Sequence, residues 1–121
     1  MLDKVISIMS ERNQAIVFKT ASGVVKVNKQ DIIYACTNRH YQNISLVDGR
    51  ELEVSIKSDE LFDQLGAESG FVRCGVSYIV SLRHIKEITT REISMDNGDN
   101  VPIVRGAFKD LRAKYMEYMF N

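Results

Sequence analysis

The sequence has little of what secreted or membrane proteins need. Two of its 121 residues are cysteines, Cys36 and Cys74, which is too few for a disulfide framework. It has no apolar run as long as a membrane span, and its first ten residues show no secretory signal. We therefore expect a cytoplasmic chain with free thiols and no membrane association.

Neither sign of charge is in excess, because 16 Lys and Arg residues balance 16 Asp and Glu residues. This neutrality counts mildly against nucleic-acid binding, since neutralising phosphate favours basic proteins. Placement matters more than the total, and segments 69–86 and 100–109 contain basic charges only. The residues concerned are Arg73, Arg83, Lys86, Arg105 and Lys109. Ordinary solvated surface charge is the alternative explanation of these two segments.

Motifs for catalysis or for a cofactor are missing. His40 and His84 are far apart and have no ligand-like spacing to each other or to the cysteines, so we expect no metal site. The chain has no P-loop, GxGxxG or nucleophile elbow. Its acids are scattered, and no carboxylate pair suits general acid/base work. The sequence predicts a protein that is not an enzyme and carries no cofactor.

Most of the chain has the alternation of short β-strands. Apolar, β-branched runs at residues 15–21 and 24–28 flank a Ser-Gly turn, and residues 40–47 and 50–56 flank Asp48-Gly49, a strong hairpin signal. Residues 31–36 form an apolar run that we expect to be buried on both faces. Further strands are predicted at residues 71–76, 84–88, 92–95 and 100–104.

Helical patterns are confined to three places. Leu2, Val5, Ile6 and Met9 share one helical face, so residues 1–14 are predicted to be a helical or linker segment before a domain at residues 15–121. Ser58 is predicted to cap an internal helix that ends at Gly66. A terminal helix is predicted, with an apolar face that is expected to be core or part of a contact with another copy; its residues are Val104, Ala107, Phe108, Leu111, Tyr115, Tyr118 and Met119. The expected fold is mainly β, with short antiparallel strands, one short internal helix and a C-terminal helix.

Three blocks of the sequence resemble the LytTR-type DNA-binding domain of bacterial response regulators. The first is DIIYACTNRHYQNISLVDG, residues 31–49. The second and most specific is FVRCGVSYIVSLRHIKEI, residues 71–88, which is similar to the family's Phe-x-Arg-x-His-Arg-Ser-Tyr pattern. The third is VPIVRGAFKDLRAKY, residues 101–115, which is similar to Ile-Pro-(Val/Leu)-Ser-Arg-Arg followed by the last helix. The blocks occur in family order and at family spacing.

The resemblance implies a β-rich fold that docks loops, rather than a recognition helix, onto double-stranded DNA. The implied function is a sequence-specific transcription regulator, the output module of a two-component system. The partners implied are promoter DNA with direct repeats, a second copy of the chain on that DNA, and an upstream receiver domain or sensor kinase pathway.

In the family that this chain resembles, three positions usually supply contacts to DNA bases, and the resemblance places them on residues of this chain. His40 follows the buried strand, and Arg105, before the terminal helix, has the planar donors that suit guanine O6 and N7. The third position falls on Gly75-Val76, where the family usually has His-Arg or His-Asn. Neither side chain can hydrogen-bond a base, although Val76 can touch a thymine methyl. Residues expected to contact the DNA backbone or to support the site are Asn38, Arg39, Tyr41, Arg73, Gly75, Ser77, Arg83, Arg91 and Lys109.

Each of these residues also has an ordinary explanation. Arg105 can pair locally with Asp110, His40 can be a plain surface histidine, and the basic residues can be solvated charges. The neutral net charge and the Gly75-Val76 replacement favour a rival interpretation. In that interpretation the chain is a degenerate LytTR-like module that binds proteins and has weak or no specific DNA binding.

Overall fold

Ten short strands and two helices make up the part of the chain that the computed structural model describes, residues 15–66, 70–75 and 77–120. The predicted segment 1–14 and Val76 lie outside these residues. The strands are β1 (Ala15–Thr20), β2 (Gly23–Asn28), β3 (Ile32–Asn38), β4 (Tyr41–Leu46), β5 (Glu51–Val54), β6 (Phe71–Cys74), β7 (Tyr78–Ser81), β8 (Ile85–Ile88), β9 (Glu92–Met95) and β10 (Asn100–Pro102). The helices are α1 (Ser58–Leu65) and α2 (Phe108–Phe120).

Seven of the strands form one antiparallel sheet in the order β2-β1-β5-β4-β3-β7-β6. The hairpin predicted around Asp48-Gly49 is confirmed, because the Leu46 N–H donates to the Arg50 carbonyl at 2.9 Å and Gly49 has a φ of 91°. Strand β3 pairs with β4 on one side and with β7 on the other. It is therefore a central strand, as its apolar sequence predicted.

The seven-stranded sheet has a hydrophobic core on each face. Ile32 and Ile33 are adjacent on β3 and both buried, yet they belong to different cores, which confirms the prediction that this strand is covered on both sides. Leu61 and Leu65 of α1 have no exposed surface and pack in the first core. Burying each such leucine contributes about 1.5–3 kcal/mol. Helix α1 therefore closes one face of the sheet.

The second core lies between the large sheet and a three-stranded sheet ordered β10-β9-β8. Ile93, Met95 and Val101 of the small sheet are fully buried there. Helix α2 adds Leu111, which is buried, and the half-buried Tyr115 and Tyr118. The predicted mainly β fold with one internal and one terminal helix is confirmed.

Three local predictions were wrong. Ser58 does not cap α1, because Lys57 is the N-cap residue and the Ser58 hydroxyl accepts a hydrogen bond from Arg73. Helix α2 begins at Phe108 rather than at Val104, since a turn occupies the residues between. Met119 is 53% exposed rather than buried, so the apolar face of α2 is not all core.

Candidate nucleic-acid interface

Three loops that carry the predicted base-contacting residues meet at one end of the large sheet. The β3–β4 and β6–β7 turns are neighbours, because Cys36 of β3 pairs with Tyr78 of β7 and the Thr37 N–H donates to the Ser77 carbonyl at 2.7 Å. The third loop, residues 103–107, reaches the β6–β7 turn through Val104. We call residues 38–41, 75, 77 and 103–107 the loop end of the sheet.

The first loop is a tight turn that projects two side chains. Asn38 pairs directly with Tyr41, so Arg39 and His40 form a two-residue turn, and both are exposed. Arg39 has a φ of 60°, a conformation that costs a non-glycine residue roughly 1–2 kcal/mol. Strain of this kind persists where the surrounding structure enforces it, and it clusters at functional sites.

A buried polar pair supports this turn from below. Gln42 has an exposed fraction of only 2%, and its Nε2 donates to Thr37 Oγ1 at 2.9 Å across the β3–β4 ladder. Because a buried amide without a partner is costly, this bond stabilises the register of the hairpin just before the turn. Arg39 and His40 are therefore presented by a rigid pair of strands.

The second and third loops are held together through Cys74. Its thiol donates to the Pro102 carbonyl at 3.3 Å, which ties β6 to the residue before the third loop. Burial raises the pKa of the Cys74 thiol, and the Val104 N–H opposes that rise only in part. A protonated, buried thiol is a poor nucleophile, so Cys74 is a structural residue.

Arg105 lies in a turn that points it away from the sheet. The Ala107 N–H donates to the Val104 carbonyl at 2.9 Å, and Gly106 has a φ of 87°, as the third position of a type II turn requires. Asp110, the acid suggested as a local partner for Arg105, pairs with Lys114 at 3.1 Å instead. Among the described residues no carboxylate forms an ion pair with Arg105, and its side chain is exposed.

Two further predicted cations lie beside Arg105. Arg91 is in the β8–β9 turn, where its carbonyl accepts from the Ile103 N–H at 2.9 Å. The Thr89 hydroxyl accepts from the backbone N–H groups of Arg91 and Glu92 and so shapes that turn. Lys109 is exposed in the first turn of α2. Both residues therefore extend the loop end on the side of the third loop.

Two predicted residues are not brought to this place. Arg83 lies at the far end of β7, where its Nη1 donates to Gln30 Oε1 at 3.3 Å. Arg73 points to α1, where it pairs with Asp59, donates to Ser58 at 2.9 Å and lies 5.9 Å from the centre of the Phe62 ring. These contacts tie β6 to α1.

Two residues at or beside the loop end were not among the predicted site residues. A groove beside the first turn runs from Arg39 and His40 to the exposed Lys57, with Glu60 also in its wall. Val104 is 52% exposed next to Arg105. Lys57 was hidden because strand pairing brings it beside a turn 17 residues earlier. Val104 matched the periodicity of the terminal helix, which gave it a core role.

The two ends of the large sheet differ in charge. The three loops of the loop end contain no acidic residue. The opposite end, formed by residues 29–31, 47–50 and 82–84, carries Asp31 and Asp48 and contacts Asp96 through His84. There Arg50 Nε lies 2.7 Å from Asp48 Oδ2. Within a neutral chain, the three loops themselves therefore carry positive charge only, although Glu60 lines the groove beside the first loop.

Other kinds of site find no support in the described residues. Within residues 15–66, 70–75 and 77–120, no three His, Cys, Asp or Glu side chains gather in a way that could hold a metal ion. Neither α1 nor α2 is long and apolar enough to span a bilayer. The arrangement at the loop end, with exposed arginines and a histidine on tight turns, suits contacts to phosphates and base edges.

Two of the three loops at this end of the sheet carry exposed cations, an arrangement that suits a nucleic-acid-binding domain. The family model described as the LytTr DNA-binding domain matches residues 22–116 of this chain. The chain therefore belongs to the LytTr DNA-binding domain family.

A solved structure has the same fold. It is described as the LytTr DNA-binding domain of a methyl-accepting/DNA response regulator from Bacillus cereus. Sequence identity is 24%, the match covers 85% of this chain and 96% of that chain, and the TM-score is 0.68. No curated protein matches this chain significantly.

Proposed function

We propose that this chain is the sequence-specific DNA-binding domain of a transcription regulator and that its loop end is the DNA-binding surface. The observation that carries the proposal is the meeting of three acid-free loops, with Arg39, His40 and Arg105 exposed on them. Family membership supports DNA as the partner. Phosphate attraction supplies affinity, and side chains at base edges supply specificity.

In the proposed mode the turns enter the DNA and the helices do not. Helix α1 covers one face of the large sheet and α2 packs Leu111 into the second core, so both have structural roles. The first turn would place His40 in a major groove, and the third loop would place Arg105 in another. The β6–β7 turn lies between them, so Gly75 and the Ser77 hydroxyl would face the phosphates there.

The wider setting follows from the family. The solved relative is described as part of a response regulator, and we propose that this chain is likewise an output module in the cytoplasm. A receiver domain or a sensor kinase pathway would control it. Two copies joined as a dimer would raise occupancy of direct repeats through effective concentration, because binding of the first copy holds the second near its half-site.

The experiment that tests the proposal is selection of bound duplexes from a random DNA library, followed by titration of the winning duplex and of a scrambled duplex. The expected result is a defined sequence that binds at least about a thousandfold more tightly than the scrambled one. Affinity for both duplexes should fall steeply with salt. Equal binding of the two duplexes would contradict specific recognition.

A second candidate function is a protein-interaction module with weak DNA binding. Gly75 favours it, because this position has no side chain to bond a base and lies against Val104. The neutral net charge favours it as well. Selection that yields no enriched sequence, together with a flat salt response, would support this candidate over the first.

A further inference from the structure

Val104 is an apolar side chain in a place where folding does not need one. Its exposed fraction is 52%, whereas Val101, three residues earlier, is completely buried. It lies at the loop end, immediately before Arg105, and its backbone is held by the bond from the Ile103 N–H to the Arg91 carbonyl and by the turn to Ala107. The side chain of Val104 is therefore displayed rather than packed.

Gly75 makes the room for this side chain. A Cβ atom added to Gly75 would lie 2.7 Å from Val104 Cγ2, closer than real contacts allow. Any larger residue at position 75 would require the valine to move. The position that a side chain at Gly75 would occupy, between the β6–β7 turn and the third loop, is thus taken by a methyl group of Val104.

A β-branched valine has few rotamers, so its methyl groups keep a fixed direction when the backbone is fixed. In the major groove the only apolar group on a base edge is the thymine 5-methyl. An exposed valine beside a guanine-reading arginine is therefore matched to a thymine. Consecutive Cα atoms are about 3.8 Å apart, close to the roughly 3.4 Å step between base pairs, so that thymine would be a near neighbour of the guanine.

We infer that Val104 is a specificity-determining residue that reads the 5-methyl group of a thymine close to the base pair contacted by Arg105. The inference rests on the proposed function, and it assigns to the third loop the selectivity that the glycine of the second loop does not provide. It predicts a conserved thymine in the selected duplexes at a fixed distance from a guanine.

The test removes the 5-methyl group of thymine from the DNA and, in a separate experiment, the γ-methyl groups of Val104 from the protein. Each thymine of the selected duplex is replaced singly by deoxyuridine, which lacks only the 5-methyl group, and binding is measured by fluorescence anisotropy. For the wild-type chain, one such replacement should weaken binding about fourfold, the worth of one buried methyl group. The Val104→Ala variant should bind the parent duplex more weakly and should not respond to that replacement.

One control variant separates Val104 from other exposed valines. Val47 is 50% exposed at the opposite end of the sheet, so Val47→Ala should keep both the parent affinity and the response to deoxyuridine. Val76→Ala tests the rival assignment, because Val76 can itself touch a thymine methyl: the response to deoxyuridine should persist in this variant when Val104 reads the methyl group and disappear when Val76 reads it. The melting temperature of Val104→Ala should equal that of the wild type, because an exposed valine adds little to stability.

The outcomes are distinguishable. Specific binding that is insensitive to every deoxyuridine, or a response that persists in Val104→Ala or disappears in Val76→Ala, would overturn the assignment of Val104 and leave the DNA-binding function standing. Equal affinity of the wild type for the parent and scrambled duplexes would overturn the function and the assignment together.

Discussion

The two ends of the seven-stranded sheet are built from similar turns but use their charges differently. At the opposite end, Arg50 pairs with Asp48, and His84 connects the carboxylate of Asp96 to the Gln30 carbonyl. At the loop end, Arg39 and Arg105 are exposed on turns that contain no acid. At the opposite end an arginine is paired with an acid of its own turn, whereas the two arginines of the loop end form no ion pair with a described residue.

This difference explains how a chain of zero net charge can belong to a DNA-binding family. Screening limits the reach of a charge to about 8–10 Å at physiological salt, so DNA at the loop end responds to nearby cations more than to the total. The acids that balance the basic residues of the chain all lie outside the three loops of the loop end. The comparison of the two ends therefore predicts effects on DNA affinity at one end and effects on stability at the other.

The largest expected effect on binding is that of Arg105→Ala. Removing a guanidinium that bonds a guanine should cost about 1–3 kcal/mol at the selected duplex and should relax specificity at one base pair. Arg50→Ala is the matched control at the opposite end, and its affinity should equal that of the wild type. Titration of the selected duplex with both variants measures their affinities. Equal losses of affinity would contradict the proposed difference between the two ends of the sheet.

The largest expected effect on stability is that of His84→Ala. His84 Nε2 bonds the Gln30 carbonyl at 2.6 Å and its Nδ1 faces Asp96 at 3.2 Å, so it links the two sheets. Loss of these bonds should reduce the free energy of unfolding by about 1–3 kcal/mol. Urea denaturation measures the loss, while DNA affinity of the folded variant should not change. A variant with wild-type stability and impaired DNA binding would reverse the assignment of this end.

Arg39→Gly should move stability and binding in opposite directions. Glycine accepts the positive φ of this turn, so the variant should gain about 1 kcal/mol in the free energy of unfolding. It should at the same time bind DNA more weakly, because the guanidinium is gone. Thermal melts and anisotropy titrations on the same preparation check both signs. A gain in stability with unchanged affinity would show that Arg39 does not face the DNA.

A smaller effect is expected from phosphate contacts. Lys109→Ala should lower the slope of log affinity against log salt by about one, equally for specific and scrambled duplexes. Arg83→Ala should leave the slope unchanged, because Arg83 lies at the opposite end. A reduced slope in the Arg83 variant would indicate that the DNA contacts a wider surface than the loop end.

The last prediction concerns pH and applies only above pH 10. Burial raises the pKa of Tyr34 to about 12, and the hydrogen bond from its hydroxyl to Asp99 adds to the rise, although a bond with Ser45 opposes it. The protonated phenol is the form that the fold favours, so its contribution to stability is complete below pH 10. It should be lost as pH rises from about 10 to about 12. Urea denaturation over this range should show a smaller pH dependence for Tyr34→Phe than for the wild type.

The sequence predicted the central parts of the fold better than its connections. Apolar alternation located β3, β4 and α1, because burial on a sheet face or a helix stripe leaves a period in the residues. The start of α2 was predicted four residues too early. Val104 and Ala107 fit the helical period, but the backbone bond between them closes a turn around Gly106. Periodicity cannot separate an exposed apolar residue in a turn from the first residue of a helix.

The candidate site was predictable residue by residue but not as a surface. The resemblance placed His40 and Arg105, and the structure brings their loops together at one end. The resemblance did not indicate that Arg73 pairs with Asp59 and donates to Ser58. It also did not indicate that Lys57 lies in the groove beside His40. These contacts depend on the order of the strands in the sheet, because strand order brings residues together that are distant in the sequence. Local sequence patterns do not predict that order.

The central claim is that the loop end, and not the opposite end, contacts DNA. Amide chemical-shift mapping of the isotope-labelled chain, titrated with the selected duplex, tests it most directly. The account predicts the largest shifts in residues 38–41, at Gly75 and Ser77, and in residues 103–107, with none in residues 47–50 or 82–84. Shifts concentrated in residues 47–50 and 82–84 would contradict it.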